Sequence, residues 1–189
     1  MEKHPIAVFA SGIGTNFEAI DNACKDGRIP AEVVLVVCDR PGAQVVAKAK
    51  ERGISVFEFS PKDYPSKADF EKEIVKELDC RKVELVCLAG YMRIVGPTLL
   101  SAYEGRIINI HPSLLPAFKG ANAVERAVEY GVKVYGISVH WVSSDLDGGK
   151  IIAQRAFPYE GNDPEEVHAL GRPIEHQLYV EVIKKLLTS

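Results

Sequence analysis

Ile6-Ala7-Val8-Phe9-Ala10 runs straight into Ser11-Gly12-Ile13-Gly14-Thr15-Asn16, and a helical pattern follows at once. Five apolar residues that scarcely alternate read as a strand covered on both faces, because a strand with one wet face would alternate polar and apolar. The same unit recurs along the chain. Residues 32–38, 55–59, 84–89 and 107–110 are further short apolar runs of this kind. Helical periods lie between them. Residues 16–25 follow the glycine turn, and residues 43–52 end at Gly53, a natural helix stop. Residues 67–80 place Phe70, Ile74 and Leu78 on one face, with Ser66 set to cap the first turn. Strand and helix in this alternation predict a doubly wound α/β fold, a mostly parallel sheet with helices on both faces.

The rhythm changes after residue 130. Ile137, Val139 and Trp141 alternate with Ser138, His140 and Val142, and a second run, 151–156, follows a turn containing Asp147-Gly148-Gly149. Two strands this close in sequence predict an antiparallel addition to the sheet in the C-terminal half. The last segment is amphipathic through Ile174, Leu178, Val182 and Leu186. Gly171 and Pro173 interrupt the period just before it, so a break or kink is expected there.

Composition bounds what such a fold can do. The chain has 189 residues, 47% apolar and 26% charged, which suits a single domain over 1–189 with a sizeable core. A net charge of -3 gives no general attraction to nucleic acid or anionic membranes, so a phosphate ligand must be held locally. The N-terminus has no signal-peptide pattern, and no run is long and apolar enough to span a bilayer. Cys24, Cys38, Cys80 and Cys87 lack zinc or disulfide-framework spacing, and Cys38 and Cys87 read as buried thiols. A reducing cytoplasm is the expected compartment.

Ligands of doubly wound sheets bind beyond the carboxyl ends of the strands, and three polar groups fall at such ends. The first is the loop Ser11–Asn16. Its glycines let backbone N–H groups approach an anion at a helix N-terminus, although Phe17 stands where a dinucleotide fingerprint needs its third glycine. The plain alternative is a tight turn closed by a capping box between Thr15 and Glu18. The second is Asn109 with His111. In an extended chain their side chains point to one side, with Ile108 and Ile110 opposite, and Pro112 favours an extended His111. The amide can donate to a carbonyl oxygen, and the imidazole can donate to it or relay a proton. The plain alternative is a histidine hydrogen-bonded for structure. The third is Asp147. Asp-Gly is first a turn signal, and it gains chemical meaning only if the turn folds over His111, where a carboxylate would raise the histidine pKa. Other residues carry less. His140 reads as structural in mid-strand, His168 and His176 show no metal-ligand pattern, and His4 reads as solvated. Ser113 lacks a nucleophile-elbow setting, and Arg93 stands where a ligand carboxylate could be met.

Taken together, these residues resemble the phosphoribosylglycinamide formyltransferase family. The matching stretches are Ser11–Asn16, Leu88-Ala89-Gly90-Tyr91-Met92-Arg93-Ile94, Asn109-Ile110-His111-Pro112-Ser113-Leu114-Leu115-Pro116, and Asp145-Leu146-Asp147-Gly148-Gly149. The resemblance implies the formyltransferase fold and direct transfer of a formyl group from 10-formyltetrahydrofolate, a co-substrate, to the amino group of glycinamide ribonucleotide. It implies Asn109, His111 and Asp147 as catalytic residues, the first two stabilising an oxyanion and the third assisting proton transfer. Gly14, Thr15 and Asn16, with Arg172, would hold the phosphate, and Glu175 would meet ribose or amine. Met92, Arg93, Ile94, Val95 and Asn109 would line the folate pocket, and Lys67 would meet the folate tail. No metal, nucleic acid or membrane is implied, and a homodimer stays open.

The chain departs from the family pattern at Asn122, where many relatives carry histidine, and at Pro173. Phe118-Lys119-Gly120-Ala121-Asn122 is similar instead to formyltetrahydrofolate deformylases, which hydrolyse the same donor. Those enzymes usually carry a preceding regulatory domain and a second histidine in place of Pro112. Methionyl-tRNA formyltransferase shares the site logic but adds a C-terminal domain for tRNA. A non-catalytic folate or nucleotide module on the same fold is the remaining alternative.

Overall fold

The computed structural model describes residues 2–189. The first βα unit sets the geometry. β1 (His4–Phe9) is buried on both faces along its apolar run, and α1 (Thr15–Lys25) returns over one side. β2 (Ala31–Cys38), α2 (Gln44–Glu51) and β3 (Ser55–Glu58) repeat the pattern outward. The chain then crosses back through α3 (Lys67–Cys80) to β4 (Leu85–Leu88), α4 (Pro97–Ala102) and β5 (Ile107–His111). After α5 (Ala123–Tyr130), β6 (Val134–Trp141) and β7 (Ile151–Pro158) form the antiparallel hairpin, and α6 (Pro164–Thr188) ends the fold.

One seven-stranded sheet results, in the order β3-β2-β1-β4-β5-β6-β7. The pairs from β3 to β5 are parallel, and β5–β6 and β6–β7 are antiparallel. This is the doubly wound, mostly parallel sheet with an antiparallel addition that the apolar runs and the late alternation predict. The order reverses between β1 and β4, and a crevice opens at such a switch point, where successive connections leave to opposite faces. α1, α2 and α6 cover one face through Phe17, Ile20, Val45, Leu178 and Ile183. α3 and α4 cover the other through Phe70, Ile74, Leu78 and Leu99. Ser66 caps α3 by accepting the Asp69 N–H at 3.3 Å.

The expected break at Gly171 and Pro173 does not occur: α6 runs unbroken through both. An interior proline removes one helical hydrogen bond and costs about 3 kcal/mol. Burying one large apolar side chain contributes about 1.5–3 kcal/mol, and Leu178, Tyr179, Val182 and Ile183 are all buried in the following turns. Packing therefore outweighs the local penalty. Tyr179 adds a buried hydrogen bond, its hydroxyl donating to the Leu88 carbonyl at 2.7 Å. Cys38 and Cys87 are buried free thiols, as their apolar runs predict, and burial pushes both thiols up.

Candidate active site

The loop after β1 is built around Gly14, which sits at φ +82° in the left-handed region and has Val45 packed against it. A Cβ there would lie 2.6 Å from a Val45 methyl, so both space and backbone conformation require glycine. The alternative, a capping box between Thr15 and Glu18, is absent. Gly14 is the N-cap of α1 with no side-chain cap, and the Glu18 carboxylate bonds Lys48 at 2.8 Å instead. A left-handed N-cap lacking a side-chain oxygen leaves the first amides of α1 without a side-chain acceptor, which suits an anion better than a closed turn does. Asn16 is buried, donates to Glu175 Oε1 at 2.5 Å, and keeps its own Oδ1 without a partner. Arg172 is exposed one turn before Glu175 on α6.

At the end of β5, Asn109 and His111 share one strand face, and Ile108 and Ile110 enter the core on the other. The loop after them is held by Ser138, the cross-strand neighbour of His111. Its buried hydroxyl donates to the Ser113 carbonyl at 2.7 Å and accepts the Leu115 N–H at 3.1 Å. Asp147 does fold over His111. Its Oδ2 lies 3.5 Å from His111 Nδ1 and accepts the Gly120 N–H at 2.7 Å. The β6–β7 connection can close this tightly because Gly149 passes directly against Trp141, where a Cβ would overlap the carbonyl oxygen.

His140, a structural residue on the sequence reading, stands inside this cluster. It pairs across the strands with Asn109, and its Nε2 lies 3.2 Å from Asn109 Nδ2 and 3.6 Å from Asp147 Oδ1. Its Nδ1 is 2.9 Å from the Trp141 carbonyl. The alternation of β6 already puts Ser138 and His140 together on one face; only the register opposite β5 was missing. The Asp147 carboxyl is held down to about 2 from 3.8. The imidazole of His140 is the main cause, burial opposes it, and the Gly120 amide and His111 add to the lowering. Asp147 is thus ionised across the neutral range, and an ionised carboxylate 3.5 Å from His111 Nδ1 is an acceptor for a proton on that nitrogen. His111 Nε2 is engaged with the Phe118 carbonyl at 2.8 Å.

The stretch that follows β4 lies across the switch point from the glycine loop. Met92 and Ile94 are exposed and Val95 is buried. Arg93 donates through Nε to Asp39 at 2.9 Å. Lys67 likewise donates to the Ile94 carbonyl at 2.9 Å. Asn122 is exposed at the N-cap of α5 in a left-handed conformation, φ +55°, which asparagine tolerates better than most side chains. His168 pairs with Glu125 at 3.0 Å and His4 with Glu84 at 2.7 Å. Among the described residues, no group of three or more His, Cys, Asp or Glu is arranged to hold a metal ion. No described helix is long and apolar enough to cross a membrane.

Residues 4–183 match the family model described as Formyl transferase. Phosphoribosylglycinamide formyltransferase of Bacillus subtilis (strain 168) is 50% identical over 182 residues, covering 96% of this chain and 93% of that protein. The corresponding protein of Haemophilus influenzae is 39% identical over 180 residues, 95% of this chain and 85% of that one. Glycinamide ribonucleotide transformylase 1 from Geobacillus kaustophilus superposes with a TM-score of 0.95 at 53% identity, covering 98% of this chain and 99% of that chain.

Proposed function

The chain belongs to the formyl transferase family, and we propose that it carries a formyl group from 10-formyltetrahydrofolate to the amino group of glycinamide ribonucleotide, a step of purine biosynthesis. The observation that carries this reading is the meeting of Asn109, His111, His140 and Asp147 at one strand end. The loops that follow β1 and β4 leave the sheet at the same edge.

In this reading the amine attacks the formyl carbon and the carbonyl electrons move to oxygen. Asn109 and His111 donate to that oxyanion, which places donors where charge develops. His111 Nδ1 faces the Asp147 carboxylate at 3.5 Å and Nε2 the Phe118 carbonyl at 2.8 Å, so a ring N–H reaches the oxyanion by leaving one of these acceptors. Asp147 helps carry the proton lost by the amine towards N10 of the folate, and collapse breaks the C–N10 bond. Formylated ribonucleotide and tetrahydrofolate leave, so the transfer balances without a metal or a covalent enzyme intermediate. Gly14, Thr15 and Asn16 with Arg172 hold the phosphate, and Glu175 meets ribose or amine. Met92, Arg93, Ile94, Val95 and Asn109 line the folate side, Ile94 and Val95 chiefly through backbone, with Lys67 near the folate tail. Both ligands are small molecules, residues 1–189 act as one domain, and the cytoplasm is the working compartment, with no nucleic-acid or membrane partner.

Tetrahydrofolate release from 10-formyltetrahydrofolate, followed with and without the ribonucleotide, tests this. Release that requires the ribonucleotide is the expected result. Equal release without it would overturn the transferase reading in favour of a deformylase.

A further inference from the structure

Residues 90–96 join β4 to α4 and carry two apolar side chains left in solvent, Met92 at 66% exposure and Ile94 at 57%. The backbone beneath them is nonetheless tied down at both ends, each time by a buried carboxylate. At the first end Asp39, just past β2, has a fully buried side chain. Its Oδ1 accepts from the Ser11 hydroxyl, and its Oδ2 accepts from Arg93 Nε at 2.9 Å. The Ser11 oxygen in turn accepts the Met92 N–H at 2.8 Å, and the Ser11 N–H donates to the Gly90 carbonyl at 3.1 Å. At the second end Glu71 reaches from α3. Its Oε2 accepts the Gly96 N–H at 2.8 Å and its Oε1 the Leu99 N–H at 3.3 Å. Lys67, one turn earlier on α3, holds the Ile94 carbonyl.

Burying a carboxylate is unfavourable unless its oxygens are used, and apolar residues of similar volume commonly stabilise a core as well or better. Two such carboxylates bonded to one loop therefore need an explanation beyond core stability. Neither pairs with Asn109, His111 or Asp147, so neither belongs to the reacting cluster. What they share is the loop. A ligand that met this segment unrestrained would have to order it on binding, and a pre-ordered loop avoids that loss.

We infer that Asp39 and Glu71 are positioning residues of the donor pocket, holding residues 90–96 so that the folate meets a ready-made backbone edge and apolar wall. Ser11 is the shared member: it opens the phosphate loop, yet its side chain serves the opposite side of the crevice. The ligand's identity rests on the transferase reading; the clamp itself does not.

The test uses the full chain with Asp39→Asn, Glu71→Gln and Ser11→Ala made singly. Each variant is expected to raise the KM for 10-formyltetrahydrofolate by about three- to tenfold, the loss of one charged or buried hydrogen bond's worth of preorganisation. The KM for the ribonucleotide should stay within about twofold, and kcat at saturating donor should fall less than the donor KM rises. Amide hydrogen exchange over residues 92–96 should quicken in the same variants. Ribonucleotide and folate KM rising together, or a donor KM unchanged while exchange quickens, would overturn the inference. If either carboxylate variant fails to fold, Ser11→Ala carries the test, since it removes only the Met92 tether and one Asp39 partner. A wild-type protein that does not use 10-formyltetrahydrofolate would sink the transferase reading instead, and the exchange comparison would still report on the clamp.

Discussion

The two halves of the sheet build their parts of the site from different material. In the parallel half, β1 and β4 end in loops that offer main chain: the first amides of α1 behind Gly14, and the tethered backbone of residues 90–96. In the antiparallel half, β5, β6 and the turn before β7 offer side chains: Asn109, His111, His140 and Asp147. The difference follows from strand geometry. Parallel strands end together and hand the chain to helices whose first amides lack partners. Antiparallel neighbours instead set residues directly opposite one another, close enough for their side chains to bond. In the proposed reading, binding rests on the first arrangement and chemistry on the second, so substitutions in the two halves should fail differently.

The largest expected effect is His111→Ala. It should lower kcat by about 10²–10⁴-fold, the usual worth of a positioned acid–base group, with ligand affinity largely kept. Turnover close to wild type would remove the side-chain half from the mechanism. Asn109→Ala should lower kcat by about 10²–10³-fold as a lost oxyanion donor, again measured at saturation. On the main-chain side, Gly14→Ala should act on KM for the ribonucleotide and on stability. A forced contact with Val45 costs about 1–3 kcal/mol, and a Tm equal to wild type would contradict the tight fit.

Asp147→Asn sharpens the comparison through pH. The carboxyl titrates near 2 in the folded protein against 3.8 ordinarily. A lowered pKa contributes stability that is present above about pH 4 and is lost as the pH falls towards 2. Denaturant unfolding at pH 6 and pH 2.5 should therefore show a drop in the wild type, of order 2 kcal/mol at most, that is smaller in the variant. Equal drops would place the acid sensitivity elsewhere. The smallest effect is expected from Pro173→Ala, which restores a helical N–H in α6. A gain of about 1 kcal/mol is expected, below the full penalty of an interior proline because proline also restricts the unfolded chain. A thermal melt reads it, and a loss of stability would mean that the ring packs to advantage.

Much of this was legible beforehand, for reasons that differ by residue. The doubly apolar runs of β1, β2 and β4 identify buried parallel strands because burial on both faces removes alternation. Asn109 and His111 share a face because the strand period is two. Pro173 misled, since helix-breaking tendency is local and the burial of Leu178, Tyr179, Val182 and Ile183 is not. Thr15 and Glu18 left two readings open: their spacing suits a capping box, but Gly14 takes the N-cap and Lys48, far along the chain, takes the carboxylate.

The site divides along the same line. Periodicity and turn chemistry determined the strands, the glycine loop, the paired presentation of Asn109 and His111, and the turn at Asp147-Gly148. Each of these depends on residues within a few positions of one another. The tertiary structure alone decided that Asp147 closes on His111, that His140 stands between Asp147 and Asn109, and that Asp39 and Glu71 hold a loop distant in sequence. Those contacts depend on strand register and on helix packing, which arise from the summed burial of the whole core. No local run of residues encodes them.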